Sequence, residues 1–193
     1  YIPIFDLDDN SYQIDLMFIP ELKKQNKGYD IIFTAIEITS RYAYAIPLKN
    51  KNENTMIECM KEFIKMSGCQ KITHDAGSEF TNKSVKDLLK QNNIKQTTYK
   101  SSDNQKRALS LIERFNRTMR GYIMKYIQIT GKLNYIDAIE DLVYNYNHTY
   151  NSSIFGTPYE VFKNEHKKYY IRKLKVRQAM ESNKKNKDII KCR

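Results

Sequence analysis

Three carboxylates in this sequence stand where a carboxylate is expensive or conspicuous. Asp15 interrupts a strand-like apolar run, Tyr12–Ile19, where an unpaired charge would be rejected. Asp75 closes the short run Gln70–His74 and opens the turn Ala76-Gly77-Ser78-Glu79-Phe80. Glu113 lies beside the apolar stripe of the longest helical stretch. Each has a duller explanation alone: an edge position, a helix cap, a surface ion pair with Arg117 one turn on. Taken together, two strand carboxylates and one helix carboxylate converging at one end of a sheet suit hard divalent cations, Mg²⁺ or Mn²⁺, rather than zinc. Two such ions about 3.5–4 Å apart form the clamp used for in-line phosphoryl displacement.

The elements that must position these groups follow from periodicity. Tyr12–Ile19, Asp30–Ile38 and Arg41–Leu48 read as strands, the last two joined so closely that they should pair as a hairpin. Asn52–Met66 reads as a helix capped by Asn54 or Thr55, followed by a strand at Gln70–His74, a helix at Asn82–Gln91 and a strand at Ile94–Tyr99. Ala108 to about Thr130 is the longest helix, with Leu109, Ile112, Met119, Ile123 and Ile127 as its inward stripe. Helices over Tyr135–Tyr146 and from Thr157-Pro158 come next, and the tail reads as helical to about Met180. A strand meander followed by β-α-β alternation predicts an α/β fold with a mixed sheet and helices on both faces.

Glu113, Arg117 and Arg120 fall within about 60° of one another on a helical wheel, so one carboxylate and two guanidinium groups share a flank. The net charge is +11, which favours a polyanionic partner. Its distribution is uneven: residues 1–94 hold 12 basic and 13 acidic side chains, 95–132 hold 9 and 2, 133–162 none and 4, and 163–193 hold 12 and 3. Cys59, Cys69 and Cys192 form no CxxC pattern and make no zinc-ligand spacing with His74, His148 and His166. Cys59 and Cys69 are therefore expected as packed thiols, and the lone His148 as structural. No stretch is long and apolar enough to predict a membrane span. The chain does not begin with Met, and is expected to be a fragment of something longer.

Four segments resemble the integrase core domain of retroviruses and their retrotransposon relatives: Ile14-Asp15-Leu16, the run from Ile31 to Leu48, His74-Asp75-Ala76-Gly77-Ser78-Glu79-Phe80, and Leu111 to Arg117. The runs IERFNRTMR and TYNSSIFGTPYEVF look most like integrases of Polinton/Maverick transposons and virophages. The resemblance covers roughly Tyr12 to Lys163. It implies an RNase H-like fold with a five-stranded mixed sheet, a lead-in over 1–11, a catalytic core over 12–163 and a basic helix or linker over 164–193. Asp15, Asp75 and Glu113 match the family's D, D and E, which would hold two Mg²⁺ or Mn²⁺ ions. Gly77 and Phe80 match its D-x-G-x-x-F turn, and Asn116, Arg117 and Arg120 match helix positions facing DNA.

Lys106 and Arg107 are further candidates for DNA contact. The implied activity is 3′-end processing and strand transfer of element DNA into a target duplex, by a homo-oligomer of at least two copies. The implied setting is the nucleus of a host cell, or viral or transposon particles. Another RNase H-like nuclease and a non-catalytic DNA-binding derivative are the competing readings. The sequence departs from the family in three places. Thirty-seven residues separate Asp75 from Glu113 instead of thirty-five, with the excess assigned to a loop over Lys100–Arg107; Ala76 stands where Asn is common; and Glu37 stands where Asp is frequent. The family's zinc-binding N-terminal domain and C-terminal barrel are expected to flank this segment.

Overall fold

A computed structural model of the chain describes residues 10–99 and 108–191, with side chains through Glu181. Five strands form one sheet in the order β3-β2-β1-β4-β5: β1 Ser11–Phe18, β2 Ile31–Glu37, β3 Ala43–Leu48, β4 Lys71–Asp75 and β5 Lys95–Tyr99. The first three run antiparallel in sequence, and β4 and β5 join parallel to β1 and to each other. The helices are α1 Glu53–Ser67, α2 Ser78–Thr81, α3 Lys83–Gln91, α4 Ser110–Thr130, α5 Ile139–His148, α6 Pro158–Lys163 and α7 Glu165–Lys191. This is the mixed α/β sheet predicted from the strand meander.

Alternation along β1 divides the core. Tyr12, Ile14 and Leu16 face one layer with Met56, Met60 and Phe63 of α1 and Val85 and Leu89 of α3. Met17, with Ile32 and Ile36 of β2, faces the other with Ile112, Phe115, Met119 and Ile123 of α4. Gln13 and Asp15 share the second face with Met17, so polar groups there must be satisfied from α4. Cys59 and Cys69 are packed in the first layer, and burial pushes both thiols up to about 12.

Local chemistry explains where element ends fall. Asn52, not Asn54 or Thr55, caps α1, its side chain accepting from the Thr55 N–H. Thr157 and Glu160 form a reciprocal capping box on α6, with Pro158 in its first turn. The helix expected from Tyr135 begins instead as a 3₁₀ turn, Ile136–Ala138. Fully buried Asn26 causes this: its Oδ1 accepts from the Tyr135 and Ile136 N–H groups at 2.8 and 3.0 Å, while its Nδ2 donates to Leu22 and Leu133 carbonyls. His148 is sandwiched between Tyr144 and Tyr159, with ring centroids 3.9 and 4.5 Å away. The tail helix runs past Met180, and Lys168, Ile171 and Ala179 on it are buried. Among the described residues no helix is long and apolar enough to cross a membrane.

Candidate active site

Register brings the first two carboxylates together. β1 and β4 pair in parallel with Tyr12 opposite Ile72 and Gln13 opposite Thr73. The same offset carried two residues on puts Asp75 level with Asp15, on the face that α4 covers. The Thr34 hydroxyl on β2 donates to the Asp15 carbonyl oxygen, fixing the backbone there from the other side.

Gln13 sets the third member. It is buried, and its Nε2 donates to the Ala108 carbonyl at 2.6 Å while its Oε1 accepts from the Ile112 N–H at 3.0 Å. One amide side chain thereby satisfies the open N-terminal turn of α4, which has no side-chain cap of its own, and docks it on β1 next to Glu113. Gln13→Ala is expected to cost roughly 1–3 kcal/mol, from buried groups left unsatisfied. Urea unfolding measures this, and an unchanged midpoint would deny Gln13 the role.

Asp15 is gripped at both oxygens. Oδ1 accepts from the Leu16 N–H at 2.8 Å and Oδ2 from Asn116 Nδ2 at 2.8 Å. Its pKa is nevertheless raised to about 6, first by burial and then by the charges of Asp75, Glu113 and Glu79. Three other carboxylates therefore act on Asp15, one more than the sequence reading assigned. Asp75 is exposed, and its Oδ1 accepts from the Gly77 N–H at 3.1 Å. A Cβ added at Gly77 would sit 3.0 Å from the Glu79 carboxylate carbon and 3.1 Å from Asp75 Oδ1. Two carboxylates thus flank a glycine that leaves them room.

His74, one residue before Asp75, is fully buried on the opposite face. Its Nε2 lies 2.8 Å from Gln96 Nε2, and that same amide nitrogen donates to the Phe80 carbonyl. An amide donor at Nε2 assigns the ring proton to Nδ1, which bonds the Asp75 carbonyl oxygen. Burial lowers the His74 pKa and keeps the ring neutral. His74 thereby ties the Asp75 turn to β5.

Glu113 is exposed and, among the described residues, forms neither the ion pair with Arg117 nor any other. Arg117 is likewise exposed and unpaired among the described residues. Arg120 turns elsewhere: Nη2 donates to the Phe18 carbonyl at 2.7 Å and Nη1 lies 3.9 Å from Glu21. Asn116 lies inside the cluster through Asp15. Lys106, Arg107 and the loop over 100–107 lie outside the described residues. The structure therefore places Asp75 and Glu113 within electrostatic reach of Asp15, which Asn116 holds by a hydrogen bond, with Arg117 on the same helix flank as Glu113 and Arg120 at the end of β1.

The donor set fits hard divalent cations: all its charged groups are carboxylates, and the burial and mutual repulsion that raise the Asp15 pKa are what a cation would offset. Among the described residues, however, no three His, Cys, Asp or Glu side chains stand close enough to hold one ion together. Binding therefore requires the carboxylates to draw in. The exposed Asp75 and Glu113 side chains are the ones free to do so.

Residues 9–103 match the Integrase core domain family. Over those residues, about half of its length, the chain is similar to the integrase core domain of retroviruses and transposons. That match spans Asp15 and Asp75 and ends ten residues before Glu113. The chain is 30% identical over 141 residues to a transposon-derived protein of Caenorhabditis elegans, covering 72% of this chain and 48% of that protein. It is 30% identical over 145 residues to the retrovirus-related Pol polyprotein from transposon 412 of Drosophila melanogaster, covering 74% of this chain and 12% of the polyprotein. It therefore spans about half of the first relative and about an eighth of the second.

Among solved structures, the BIV integrase catalytic core domain superposes with a TM-score of 0.66 at 21% identity, covering 84% of this chain and 99% of that one. A chain of the simian T-cell lymphotropic virus intasome, solved with the PP2A regulatory subunit B56 gamma, gives 0.72 at 17% identity, covering 85% and 58%. These likenesses establish the RNase H-like fold of integrase catalytic cores.

Proposed function

We propose that this chain is an integrase core that cuts and joins DNA with divalent metal ions held by Asp15, Asp75 and Glu113. The observation that carries the reading is that Asp15, fixed on β1, sits within electrostatic reach of both Asp75 and Glu113, the two partners the family pattern requires. Bound Mg²⁺ or Mn²⁺ would supply an activated water or 3′-hydroxyl and stabilise the leaving oxygen. The chain's own residues do the rest. Asn116 and the Leu16 N–H aim the Asp15 oxygens, the Gly77 N–H aims Asp75, and Gln13 holds the α4 turn that carries Glu113. Arg117, unpaired among the described residues on the Glu113 flank, supplies a cation for a backbone phosphate, and Arg120, Lys106 and Arg107 are assigned further phosphate contacts.

The reaction assigned is 3′-end processing by water, then strand transfer by the freed 3′-hydroxyl, carried out by at least a dimer in the nucleus or in an element-derived particle. Within the family, the IERFNRTMR and TYNSSIFGTPYEVF runs support an origin among Polinton/Maverick transposons and virophages. The test incubates the chain with a labelled donor oligonucleotide and a supercoiled plasmid, with Mg²⁺ or Mn²⁺ or with EDTA. Covalent donor–plasmid product should form only with the metal. Cleavage of RNA–DNA hybrid without joining would replace this reading by a ribonuclease, and absence of metal-dependent chemistry on either substrate would replace it by a binding domain.

A further inference from the structure

The carboxylate cluster poses a problem for a polyanionic ligand. Asp15, Asp75, Glu79 and Glu113 repel phosphate, so a DNA strand can approach only if cations stand at the rim. Arg117 and Arg120 stand on the α4 side. The opposite side of the sheet end has a cation that the family pattern does not point to.

That cation is Lys51, in the short connection between β3 and α1. Leu48 at the end of β3 pairs with Ile31, and Ile31 pairs with Phe18 at the end of β1, so the Lys51 loop leaves the sheet at the same end as the residues following Asp15. From there the Lys51 ammonium reaches over the Phe18 ring, 5.6 Å from its centroid, and comes to 3.7 Å from Glu79 Oε1. Glu79 flanks Gly77 beside Asp75 and is one of the charges acting on Asp15. Lys51 thus spans from the β3–α1 connection, across the end of β1, to the Asp75 turn. Phe18 carries a cation on each side: Lys51 over its ring and Arg120 on its carbonyl oxygen.

We propose that Lys51 is a DNA-phosphate contact at the mouth of the carboxylate cluster, with Glu79 as the partner that parks it there when no DNA is bound. The inference rests on the DNA-joining reading. Its physical basis is the weakness of the resting pair. Lys51 is half exposed while Glu79 is largely covered, and at 3.7 Å the ammonium lies beyond hydrogen-bond distance of its partner, so the pair is a weak, partly screened one. A phosphate arriving between Lys51 and Arg120 offers the ammonium a full charge while relieving the repulsion from Glu79. The Phe18 ring under the side chain limits where the ammonium can go, which keeps it over the site rather than dispersed in solvent.

The test uses the full chain in EDTA, so that no chemistry intervenes, and a fluorescent duplex titrated from low to high NaCl. Each phosphate contact contributes about 0.9 to the slope of log K against log salt. Lys51→Gln should make the slope shallower by about that amount, uniformly across duplex sequences, while Lys51→Arg keeps it. Lys61 is the control: it is similarly exposed but pairs at 2.8 Å with the exposed Glu58 on the outer side of α1, and Lys61→Gln should leave the slope unchanged. Glu79→Gln should tighten binding, and that gain should shrink once residue 51 is Gln. An unaltered slope in Lys51→Gln, or an equal loss in Lys61→Gln, overturns the proposal while the DNA-joining reading stands. A wild-type chain that shows no salt-dependent duplex binding overturns both. Undiminished joining by Glu113→Gln removes Glu113 from the metal site and leaves the Lys51 contact standing.

Discussion

Glu113→Gln is expected to lower metal-dependent DNA joining by roughly 10³-fold or more, equivalent to about 4 kcal/mol of transition-state stabilisation. It should leave the unfolding midpoint within about 0.5 kcal/mol of wild type, as for a surface position without partners. The two halves follow from the same facts. Glu113 is exposed and unpaired among the described residues, so the fold draws nothing from its charge. That charge nevertheless acts on Asp15 and helps raise its pKa. A group of no structural use, placed where it destabilises a neighbour, makes sense if a cation is to bind between them. Strand-transfer assays with parallel urea unfolding separate the outcomes. Full activity in the variant removes Glu113 from the site, and a large stability loss would show that it serves the fold instead. Arg117→Gln is the companion: it should weaken duplex binding and leave the metal dependence of joining unchanged.

How much of this was legible in the sequence depends on the kind of signal. Strand alternation around Asp15, the Asp75-to-Phe80 turn and the apolar stripe beside Glu113 are local, and the sheet and its helical layers follow from them, with Asp75 and Glu113 left within electrostatic reach of Asp15. Polar bridges between distant segments are not local. Gln13 reaches Ala108 and Ile112, Asn26 reaches Tyr135 and Ile136, and Asn147 pairs both backbone groups of Ala43. Nothing in the neighbourhood of Gln13 or Asn147 announces a partner some hundred residues away. The one available signal is a Gln on the inward phase of a strand, which burial forces to find partners.

Asn52, Asn54 and Thr55 are all cap residues within one turn, and the packing of Met56, Met60 and Phe63 decides among them. Glu79 was visible in the turn, but its closeness to Asp75 depends on the bend at Gly77. The Glu113–Arg117 ion pair is the duller reading of the helical spacing, and among the described residues the pair does not form.

Asp15→Asn is expected to stabilise the metal-free protein at neutral pH while destroying its activity. The folded-state pKa of about 6 lies above the ordinary value of 3.8, so the fold prefers the protonated acid. Below about pH 4 the side chain is protonated in folded and unfolded chains alike, and it contributes no difference. As pH rises from 4 to 6 the unfolded chain gives up this proton first, and the folded state loses stability relative to it. Above 6 the cost is complete, at about 2 kcal/mol, reduced from the full linkage value because the group is partly solvated. Asn removes the charge and keeps the geometry. Its Oδ1 accepts from the Leu16 N–H, and its Nδ2 donates to Asn116 once that amide flips. The flip is open because Asn116 Oδ1 is buried without a partner among the described residues in the present orientation. Unfolding midpoints in EDTA should therefore coincide near pH 4 and separate by about 2 kcal/mol at pH 7.5, with Asp15→Asn the more stable. Adding millimolar Mg²⁺ or Mn²⁺ should then close the gap from the wild-type side, because a cation that binds only the folded cluster stabilises it by mass action and finds no charged Asp15 in the variant. A gap that is constant across pH would mean that Asp15 ionises freely in the fold. A gap that appears on schedule but does not respond to metal would mean that the carboxylates repel one another without being able to close on an ion.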